Sequence, residues 1–306
     1  MYLRKPEGAT VTIFAPYDCE NYCPFCVNKQ EYRDNPNFNI KEVIKSIKVM
    51  DNITPSCDFV ITGGEPLADL DLLEELLDTI KIINVYRKCI EVPQHKLFIN
   101  TTLPTNKYTA NELINFLNGY KDVISGLNIS RHLLPYVEES EDKILQYIHI
   151  PIRINCVLYN MTKEEIEISL KGFFKRFNYT NVTGIQFRED YTTATLENLY
   201  DFENNETFKN LYEILNKFEL YSEENIQKGL ISKEKFRWNY KFTEGINYHK
   251  TLPYSSIVCG DNIEINDIII NTRGEILSDW NGFGEKLNLE QYKAANNEKV
   301  FSKNNI

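Results

Sequence analysis

Three cysteines stand close together near the start of the chain. They lie in the stretch Cys19-Glu20-Asn21-Tyr22-Cys23-Pro24-Phe25-Cys26, which follows a short apolar run at Thr10–Phe14. Thiolates are the ligands that hold iron-sulfur clusters, and a short loop lets three of them converge on one cluster. A [4Fe-4S] cluster held by three thiolates keeps one iron without a protein ligand, and an open metal position can bind a substrate or cofactor. The spacing therefore predicts a [4Fe-4S] centre with Cys19, Cys23 and Cys26 as its protein ligands.

A structural zinc site is the alternative for the same cysteines. Such a site takes four ligands, and no histidine or second Cys-x-x-Cys pair lies close to the loop. Cys57 or Cys259 could supply the fourth ligand from a distance, although no spacing signal pairs either of them with the loop. The cluster is the favoured interpretation.

A second motif, Thr62-Gly63-Gly64-Glu65-Pro66, follows the apolar run Phe59–Ile61. Together with the cysteine loop, in which Phe25 directly precedes the last cysteine, it resembles the signature of the radical S-adenosylmethionine (radical SAM) superfamily, Cys-x3-Cys-x2-Cys type. The resemblance extends over residues 1–220, and its specific motifs end at Pro66. It indicates the class of the protein and says little about its substrate.

The resemblance implies which residues bind SAM. The turn at Gly63, Gly64, Glu65 and Pro66 would contact the amino group of the methionine part, because glycine lets the backbone approach a ligand closely. Ser130 resembles the ribose-contacting position of the family, and Arg131 would pair with the SAM carboxylate. Further residues that could reach SAM are Phe25, Asn100, Thr101, Asn128, Arg153 and Asn155. For each polar residue a capping or loop hydrogen bond is the alternative, as a plain strand-to-helix turn is for the glycines.

The resemblance also implies the first half of a reaction. A reduced cluster with SAM on its open iron cleaves SAM to methionine and a 5′-deoxyadenosyl radical, which abstracts a hydrogen atom from the substrate. An external low-potential electron donor, of the flavodoxin or ferredoxin type, is then required. The protein itself supplies orientation and exclusion of solvent.

The fate of the substrate radical depends on residues outside the motifs. Cys259 is a candidate catalytic residue as a hydrogen-atom donor, and its alternative is a buried small apolar side chain beside Ile257 and Val258. Glu189 and Asp190 follow the sixth predicted strand and could bind a polar substrate or act as acid or base. The histidines show no metal-ligand spacing, and we interpret them as ordinary polar residues.

Alternating strands and helices position these motifs. We predict strands at Thr10–Phe14, Cys57–Ile61, Lys96–Asn100, Val123–Ser130, Ile150–Leu158 and Val182–Phe187. We predict helices at Asn37–Met50, from Asp69 or Asp71 through Ile80, from the capping box Thr109–Glu112 through Tyr120, at Glu141–Ile148, from the capping box Thr162–Glu165 through Phe177, and at Glu206–Leu220. Such alternation indicates a parallel α/β sheet, and six units predict a partial (β/α)6 TIM-like barrel of the radical SAM type. The cysteine loop would lie at the mouth formed by the carboxyl ends of the strands.

The pattern changes after residue 220. Phe236–Phe242 and Ile263–Trp280 have the pattern of β-structure, with a turn at Asn271–Gly274. We therefore predict a radical SAM core barrel at residues 1–220 and a small C-terminal β-containing appendage at residues 221–306, which closes the barrel or shapes the substrate site. Its single cysteine, Cys259, is too few for a cysteine-rich auxiliary-cluster domain.

Composition places further bounds on the function. The chain has 306 residues and a formal net charge of −10, so a nucleic acid is an unfavourable default partner. No apolar run reaches the roughly 18 residues of a membrane helix, and the apolar stretch near the start is too short for a signal peptide. Seven cysteines, an odd number, favour metal ligation over a disulfide framework. We expect a cytoplasmic protein without a membrane partner.

Several functions remain open within this class. The leading hypothesis is a radical SAM enzyme that acts on a small-molecule, nucleotide-like or peptide substrate. The short appendage and the acidic charge favour a compact metabolite or nucleotide-like substrate over a peptide. A ribosomal-peptide maturase or epimerase and a glycyl-radical-enzyme activase are alternatives within the class. A non-catalytic iron-sulfur or zinc protein that uses the barrel as a binding module is the alternative outside it.

Overall fold

The structure, a computed structural model, describes most of the predicted barrel and parts of the C-terminal region. The described residues are 2–4, 9–15, 19, 21, 23–26, 38–134, 142–177, 179–189, 206–217, 256–259, 262–265, 267–278 and 286–293. Their strands are β1 (Tyr2–Arg4), β2 (Ala9–Ala15), β3 (Cys57–Gly63), β4 (Lys96–Thr101), β5 (Gly126–Ser130), β6 (Ile152–Leu158), β7 (Val182–Glu189), β8 (Ser256–Cys259), β9 (Asn262–Ile265), β10 (Asp267–Ile270) and β11 (Ile276–Leu277). Their α-helices are α1 (Ile40–Ile53), α2 (Leu70–Cys89), α3 (Ala110–Gly119), α4 (Lys163–Arg176) and α5 (Glu206–Lys217).

The main sheet has eight strands in the order β11-β10-β2-β3-β4-β5-β6-β7. All its pairings are parallel except the antiparallel pair β10–β11. Helices connect successive strands, and the sheet does not close on itself. The predicted open, partial α/β barrel is confirmed.

The individual elements agree with the sequence predictions apart from one helix and a few boundaries. The predicted helix at Glu141–Ile148 is a 3-10 helix, Asp142–Tyr147. The capping boxes at Thr109 and Thr162 are both formed, because each threonine hydroxyl accepts from the amide of the glutamate three residues later. The predicted strand at Phe236–Phe242 lies outside the described residues.

Strand β10 enters the main sheet as a parallel neighbour of β2, with Asp267 opposite Thr10 and Ile270 opposite Ile13. It comes from the region predicted as an appendage, so that region contributes directly to the sheet that carries the cysteine loop. Strands β1, β9 and β8 form a separate three-stranded sheet. The predicted boundary at residue 220 stays a prediction.

The two faces of the main sheet differ in chemistry. Leu97, Ile99 and their equivalents on other strands are fully buried in the apolar core with helix residues such as Leu77 and Leu117. Side chains alternate along a strand, so Asn100 points away from that core. The strand register places Asn100 opposite Asn128, and Asn128 opposite Arg153. This polar row lies on the sheet face that is not covered by the core helices, which is where a barrel binds its ligands.

A buried polar network closes the opposite end of the sheet, where β3 begins. The Cys57 Sγ atom lies 3.2 Å from Nδ1 of His95, and Nε2 of His95 lies 2.9 Å from Oδ1 of Asp51. Arg87 donates to the same Asp51 oxygen at 2.7 Å. Burial raises the pKa of Cys57 to about 12. Cys57 is therefore a protonated structural thiol.

This position also removes Cys57 as a fourth ligand of the cysteine loop. The loop follows the carboxyl end of β2, which pairs with β3 at Ala15–Gly63, whereas Cys57 pairs with Ala9 at the other end. Seven residues of strand separate the two ends of β3, which is on the order of 20 Å.

The buried thiol of Cys57 should react more slowly with alkylating agents than the exposed thiol of Cys89. Cys89 is exposed at the end of α2, whereas Cys57 is buried. Because the thiolate is the reactive form, we expect iodoacetamide at pH 8 to alkylate Cys89 at least about a hundredfold faster than Cys57 in the folded protein. Mass spectrometry of timed samples measures both rates. Similar rates for the two cysteines would contradict the buried network.

No helix among the described residues is long and apolar enough to cross a membrane.

Candidate functional site

The three cysteines of the loop lie at the carboxyl edge of the main sheet, just beyond β2. Cys19, Cys23 and Cys26 are all half-buried. The amide of Cys26 donates to the carbonyl of Cys23 at 3.1 Å, which forms a tight turn around Pro24 and Phe25. One compact turn therefore presents two of the thiols, and the third lies on the same loop. This donor set has the chemistry that a [4Fe-4S] cluster requires, in which each thiolate binds a different iron.

A single metal ion requires ligands that converge on one point. Within the described ranges, no group of three His, Cys, Asp or Glu side chains is arranged to hold such an ion. The zinc alternative thus has no ligand set in the part of the chain that the structure describes.

Phe25 packs the cysteine loop against the ends of β5 and β6, which lie three and four positions from β2 in the sheet. Its ring lies 4.8 Å from that of His132 and 5.7 Å from that of Tyr159, measured between centroids. These residues follow β5 and β6, and Nδ1 of His132 accepts from the amide of Val157 at 3.3 Å. Sequence reasoning missed the contacts of His132 and Tyr159 with Phe25, because nothing in a single sequence pairs these residues with the loop. The predicted contact of Phe25 with the cofactor stays a prediction.

His132 gives the site a pH dependence. Burial, and the nearby charge of Arg131, lower its pKa from 6.5 to about 4. The unfolded chain binds this proton more readily, so the contribution of neutral His132 to stability is complete above about pH 6.5 and is lost as the pH falls towards 4. We expect the free energy of unfolding of the cluster-free protein to fall over this interval by about 1–3 kcal/mol more than in His132→Asn. Urea denaturation at several pH values measures both, and equal pH dependence would contradict the assignment.

Gly63 is required by the packing of two strands. Its φ is +122°, and a Cβ atom there would lie 2.5 Å from the carbonyl oxygen of Ala15. Only glycine fits this approach between β3 and β2, which brings the turn after β3 next to the start of the cysteine loop. The glycine that the resemblance assigns to SAM binding thus has a structural requirement of its own. Its contact with SAM, and that of Gly64, stay predictions.

The Glu65 side chain is buried and turned towards β4. Its Oε1 accepts from the amide of Leu67 at 3.0 Å and the hydroxyl of Thr101 at 2.6 Å. Its Oε2 accepts from the amide and the hydroxyl of Thr102, both at 2.7 Å. Burial raises the pKa of this carboxyl, and the four donors offset part of that effect. Four hydrogen bonds occupy the acceptor capacity of a carboxylate, so Glu65 joins two strand ends. Its predicted contact with SAM stays a prediction. Pro66 opens the short 3-10 helix Pro66–Ala68 and is buried.

Asn100, Ser130, Arg153 and Asn155 line the open face of the sheet. Oδ1 of Asn100 accepts from Nδ2 of Asn128 at 2.7 Å. Ser130 pairs in register with Asn155, which in turn pairs with Gln186. Oδ1 of Asn155 is buried and has no hydrogen-bond partner among the described residues. A buried acceptor without a partner costs free energy, and a bound ligand with a hydrogen-bond donor would satisfy it. The predicted contacts of this set with SAM stay predictions.

Arg131 is fully buried and paired within the protein. Its Nε donates to Oδ1 of Asp142 at 3.1 Å, and its Nη1 donates to the carbonyls of Thr102 and Ser130, both at 2.8 Å. Arg176 donates to the other oxygen of Asp142 at 2.7 Å. These bonds give the buried Arg131 side chain hydrogen-bond partners within the protein. Its predicted contact with the SAM carboxylate stays a prediction.

For two further predicted residues, Cys259 and Glu189, the structure gives only the position along a strand. Cys259 ends β8 opposite Asn262, and Glu189 ends β7. Asp190 lies outside the described residues. The roles predicted for Cys259, Glu189 and Asp190 stay predictions.

Comparison with known proteins gives one family match and several structural matches. The family model of a 4Fe-4S single cluster domain matches residues 5–126, which include the three loop cysteines and the turn at Gly63. No curated protein matches the sequence.

Solved structures of radical SAM enzymes share the fold. SuiB of Streptococcus suis bound to its precursor peptide SuiA matches with a TM-score of 0.55 and 17% identity over 93% of this chain and 64% of that one. Native anSMEcpe with bound AdoMet and Cp18Cys peptide matches with a TM-score of 0.56 and 16% identity over 88% of this chain and 73% of that one. This chain spans 64% of the SuiB chain and 73% of the anSMEcpe chain. The fold and the cluster-domain match together confirm the resemblance to the radical SAM superfamily that the two motifs predicted.

Proposed function

We propose that the protein is a radical SAM enzyme in which Cys19, Cys23 and Cys26 hold a [4Fe-4S] cluster and the open face of the sheet binds SAM. The observation that carries the proposal is the position of the cysteine turn. It lies at the carboxyl edge of a parallel sheet, where such folds bind ligands, next to the turn at Gly63. The matched 4Fe-4S single cluster domain supports the same assignment.

The reduced cluster with SAM bound supplies reductive cleavage of SAM to methionine and a 5′-deoxyadenosyl radical that abstracts a hydrogen atom from the substrate. The chain contributes position and protection from water. Phe25, packed on His132 and Tyr159, holds the cysteine turn against the sheet. The buried Asn155 oxygen offers an acceptor to SAM on the open face. An external low-potential donor of the flavodoxin or ferredoxin type supplies the electron, and the cytoplasm is the proposed location.

The proposed substrate is a peptide. The structure of SuiB contains its precursor peptide, and the structure of anSMEcpe contains AdoMet and a peptide. Both share the fold of this chain, which supports a peptide over the small-molecule and nucleotide-like substrates that the sequence favoured. Cys259 is proposed as the hydrogen-atom donor that returns the substrate radical to a closed shell.

Spectroscopy of the reduced cluster tests the binding part of the proposal. We expect anaerobically reconstituted protein to give a [4Fe-4S] electron paramagnetic resonance (EPR) signal whose g-values shift when SAM is added, because SAM occupies the open iron. The Cys89→Ala variant should behave like the unmodified protein, since Cys89 is exposed and lies at the end of α2. A cluster signal that SAM leaves unchanged contradicts the proposal.

The substrate class is tested separately. Peptides encoded next to the gene are added to the reduced enzyme with SAM, and a peptide-free extract of small metabolites is the comparison. A peptide that accelerates release of 5′-deoxyadenosine supports the proposal. Acceleration by the metabolite extract alone contradicts it.

A further inference from the structure

Thr102, the residue that follows β4, connects three segments of the site through its own atoms. Its amide and its hydroxyl both donate to Oε2 of Glu65 at 2.7 Å. The same hydroxyl oxygen accepts from Nδ2 of Asn21 at 3.4 Å. Its carbonyl accepts from Nη1 of Arg131 at 2.8 Å. Thr102 thus contacts the turn after β3, the cysteine loop and the end of β5.

The hydroxyl of Thr102 has a specific place in this arrangement. A hydroxyl can donate one hydrogen bond and accept others, and here it donates to a buried carboxylate while it accepts from Asn21. Asn21 lies between Cys19 and Cys23, so this contact acts on the loop that carries the thiols. Hydrogen bonds to charged groups are stronger than neutral ones. The carboxylate of Glu65 therefore fixes the hydroxyl, and the hydroxyl holds the loop.

The backbone beside Thr102 is strained in a way that fits this role. Leu103 has a φ of +56° and is fully buried. A leucine in the left-handed region is an outlier, and such residues persist only where their surroundings impose the conformation. The amide of Leu103 donates to the hydroxyl of Thr101 at 2.8 Å, and that hydroxyl donates to Oε1 of Glu65. The left-handed conformation of Leu103 thus accompanies an arrangement in which the hydroxyls of Thr101 and Thr102 both donate to the carboxylate of Glu65.

We propose that Thr102 is a positioning residue, whose hydroxyl sets the distance and orientation of the cysteine loop relative to the turn at Gly63–Glu65. The inference rests on the proposed function, because those two segments are the ones proposed to hold the cluster and SAM. Thr102 acts through Asn21 and Glu65 and does not itself touch either group. It lies outside both sequence motifs, and only the folded structure brings it to them.

Matched variants of Thr102 isolate the hydroxyl. Thr102→Val keeps the branched shape and the backbone bonds but removes the hydroxyl, and Thr102→Ser restores it. Thr79→Val is the control, because the Thr79 hydroxyl donates to the carbonyl of Glu75 within its own helix, α2. All are reconstituted as full-length protein. The readouts are the rate of iron loss to a chelator, the dissociation constant for SAM and the melting temperature.

We expect Thr102→Val to lose iron about tenfold faster and to bind SAM about tenfold more weakly, which corresponds to loss of one charge-assisted hydrogen bond. Thr102→Ser and Thr79→Val should stay near the unmodified protein. If Thr102→Val matches the unmodified protein in both readouts, or if Thr102→Ser is as impaired as Thr102→Val, the inference is overturned.

Asn21→Ala provides an independent test if Thr102→Val does not fold. It removes the bond between Asn21 and the Thr102 hydroxyl from the loop side, and we expect about tenfold faster iron loss and about tenfold weaker SAM binding. An Asn21→Ala protein with unchanged iron loss overturns the link to the loop. If the unmodified protein binds no cluster or no SAM, the proposed function fails and the inference fails with it. If the unmodified protein binds both and the variants match it, the inference alone fails.

Discussion

Replacement of Cys19, Cys23 or Cys26 by alanine is expected to abolish the cluster. The three cysteines are the thiolate ligands that the loop offers, and two of them flank a turn closed by the bond between the amide of Cys26 and the carbonyl of Cys23. With one thiolate lost, a cubane would have two irons without protein ligands, and we expect reconstitution to leave less than about a tenth of the iron and sulfide of the unmodified protein. Iron and sulfide are measured per chain after removal of unbound metal. SAM cleavage should be lost in the same variants.

Cys89→Ala and Cys57→Ala are the controls for this prediction. Cys89 is exposed and Cys57 is buried at the amino end of β3, so neither should change the iron content of folded protein. Cys57→Ala should lower stability, because it removes a buried side chain from the contact with His95. Full cluster content in any of the three loop variants would contradict the ligand assignment.

Gly63→Ala is expected to be strongly destabilising. An alanine would have to adopt a φ of +122°, a conformation that L side chains rarely adopt, and its Cβ would lie 2.5 Å from the backbone oxygen of Ala15. Backbone strain and overpacking against a rigid strand together cost roughly 3–5 kcal/mol. Relief of the clash must separate β2 from β3 at the edge where the cysteine loop begins. We therefore expect lower stability in urea together with poor cluster retention.

Gly172→Ala is the matched control. Gly172 lies in α4, and a Cβ there meets nothing within 4 Å. Alanine is the better helix former, so this variant should be stabilised by up to about 1 kcal/mol and should keep its cluster. Equal stability of Gly63→Ala and the unmodified protein would show that β2 and β3 do not approach each other as described.

The strands and helices of the barrel could be predicted because their signals are local. Apolar runs mark the strands β2 to β7, and the capping residues Asn39, Thr109 and Thr162 mark the starts of helices. Each of these signals lies within a few residues of the element that it specifies. The cysteine loop and the turn at Gly63 are equally local, since their spacing along the chain carries the chemistry. The 3-10 helix at Asp142–Tyr147 was predicted as an α-helix, because helical periodicity does not distinguish the two over so short a segment.

Contacts between distant segments could not be predicted. The four donors to Glu65 include Thr101 and Thr102, from the end of the next strand, and no pattern in one sequence pairs them. Arg131 follows a strand end, and its partly buried ion pair with Asp142 is a contact that no local pattern indicates. Strand β10 pairs in parallel with β2. The sequence of a short strand does not specify which strand of a sheet it pairs with. These contacts depend on the assembled sheet.

Reductive cleavage of SAM is the most direct test of the central claim. The protein is reconstituted anaerobically and analysed for metal, and it is then mixed with SAM and a strong reductant, with and without candidate peptides, while 5′-deoxyadenosine is quantified. The account predicts about four irons per chain and 5′-deoxyadenosine that requires the reductant and all three loop cysteines. Zinc in place of iron, or a complete cluster that leaves SAM intact with reductant and peptide present, would contradict it.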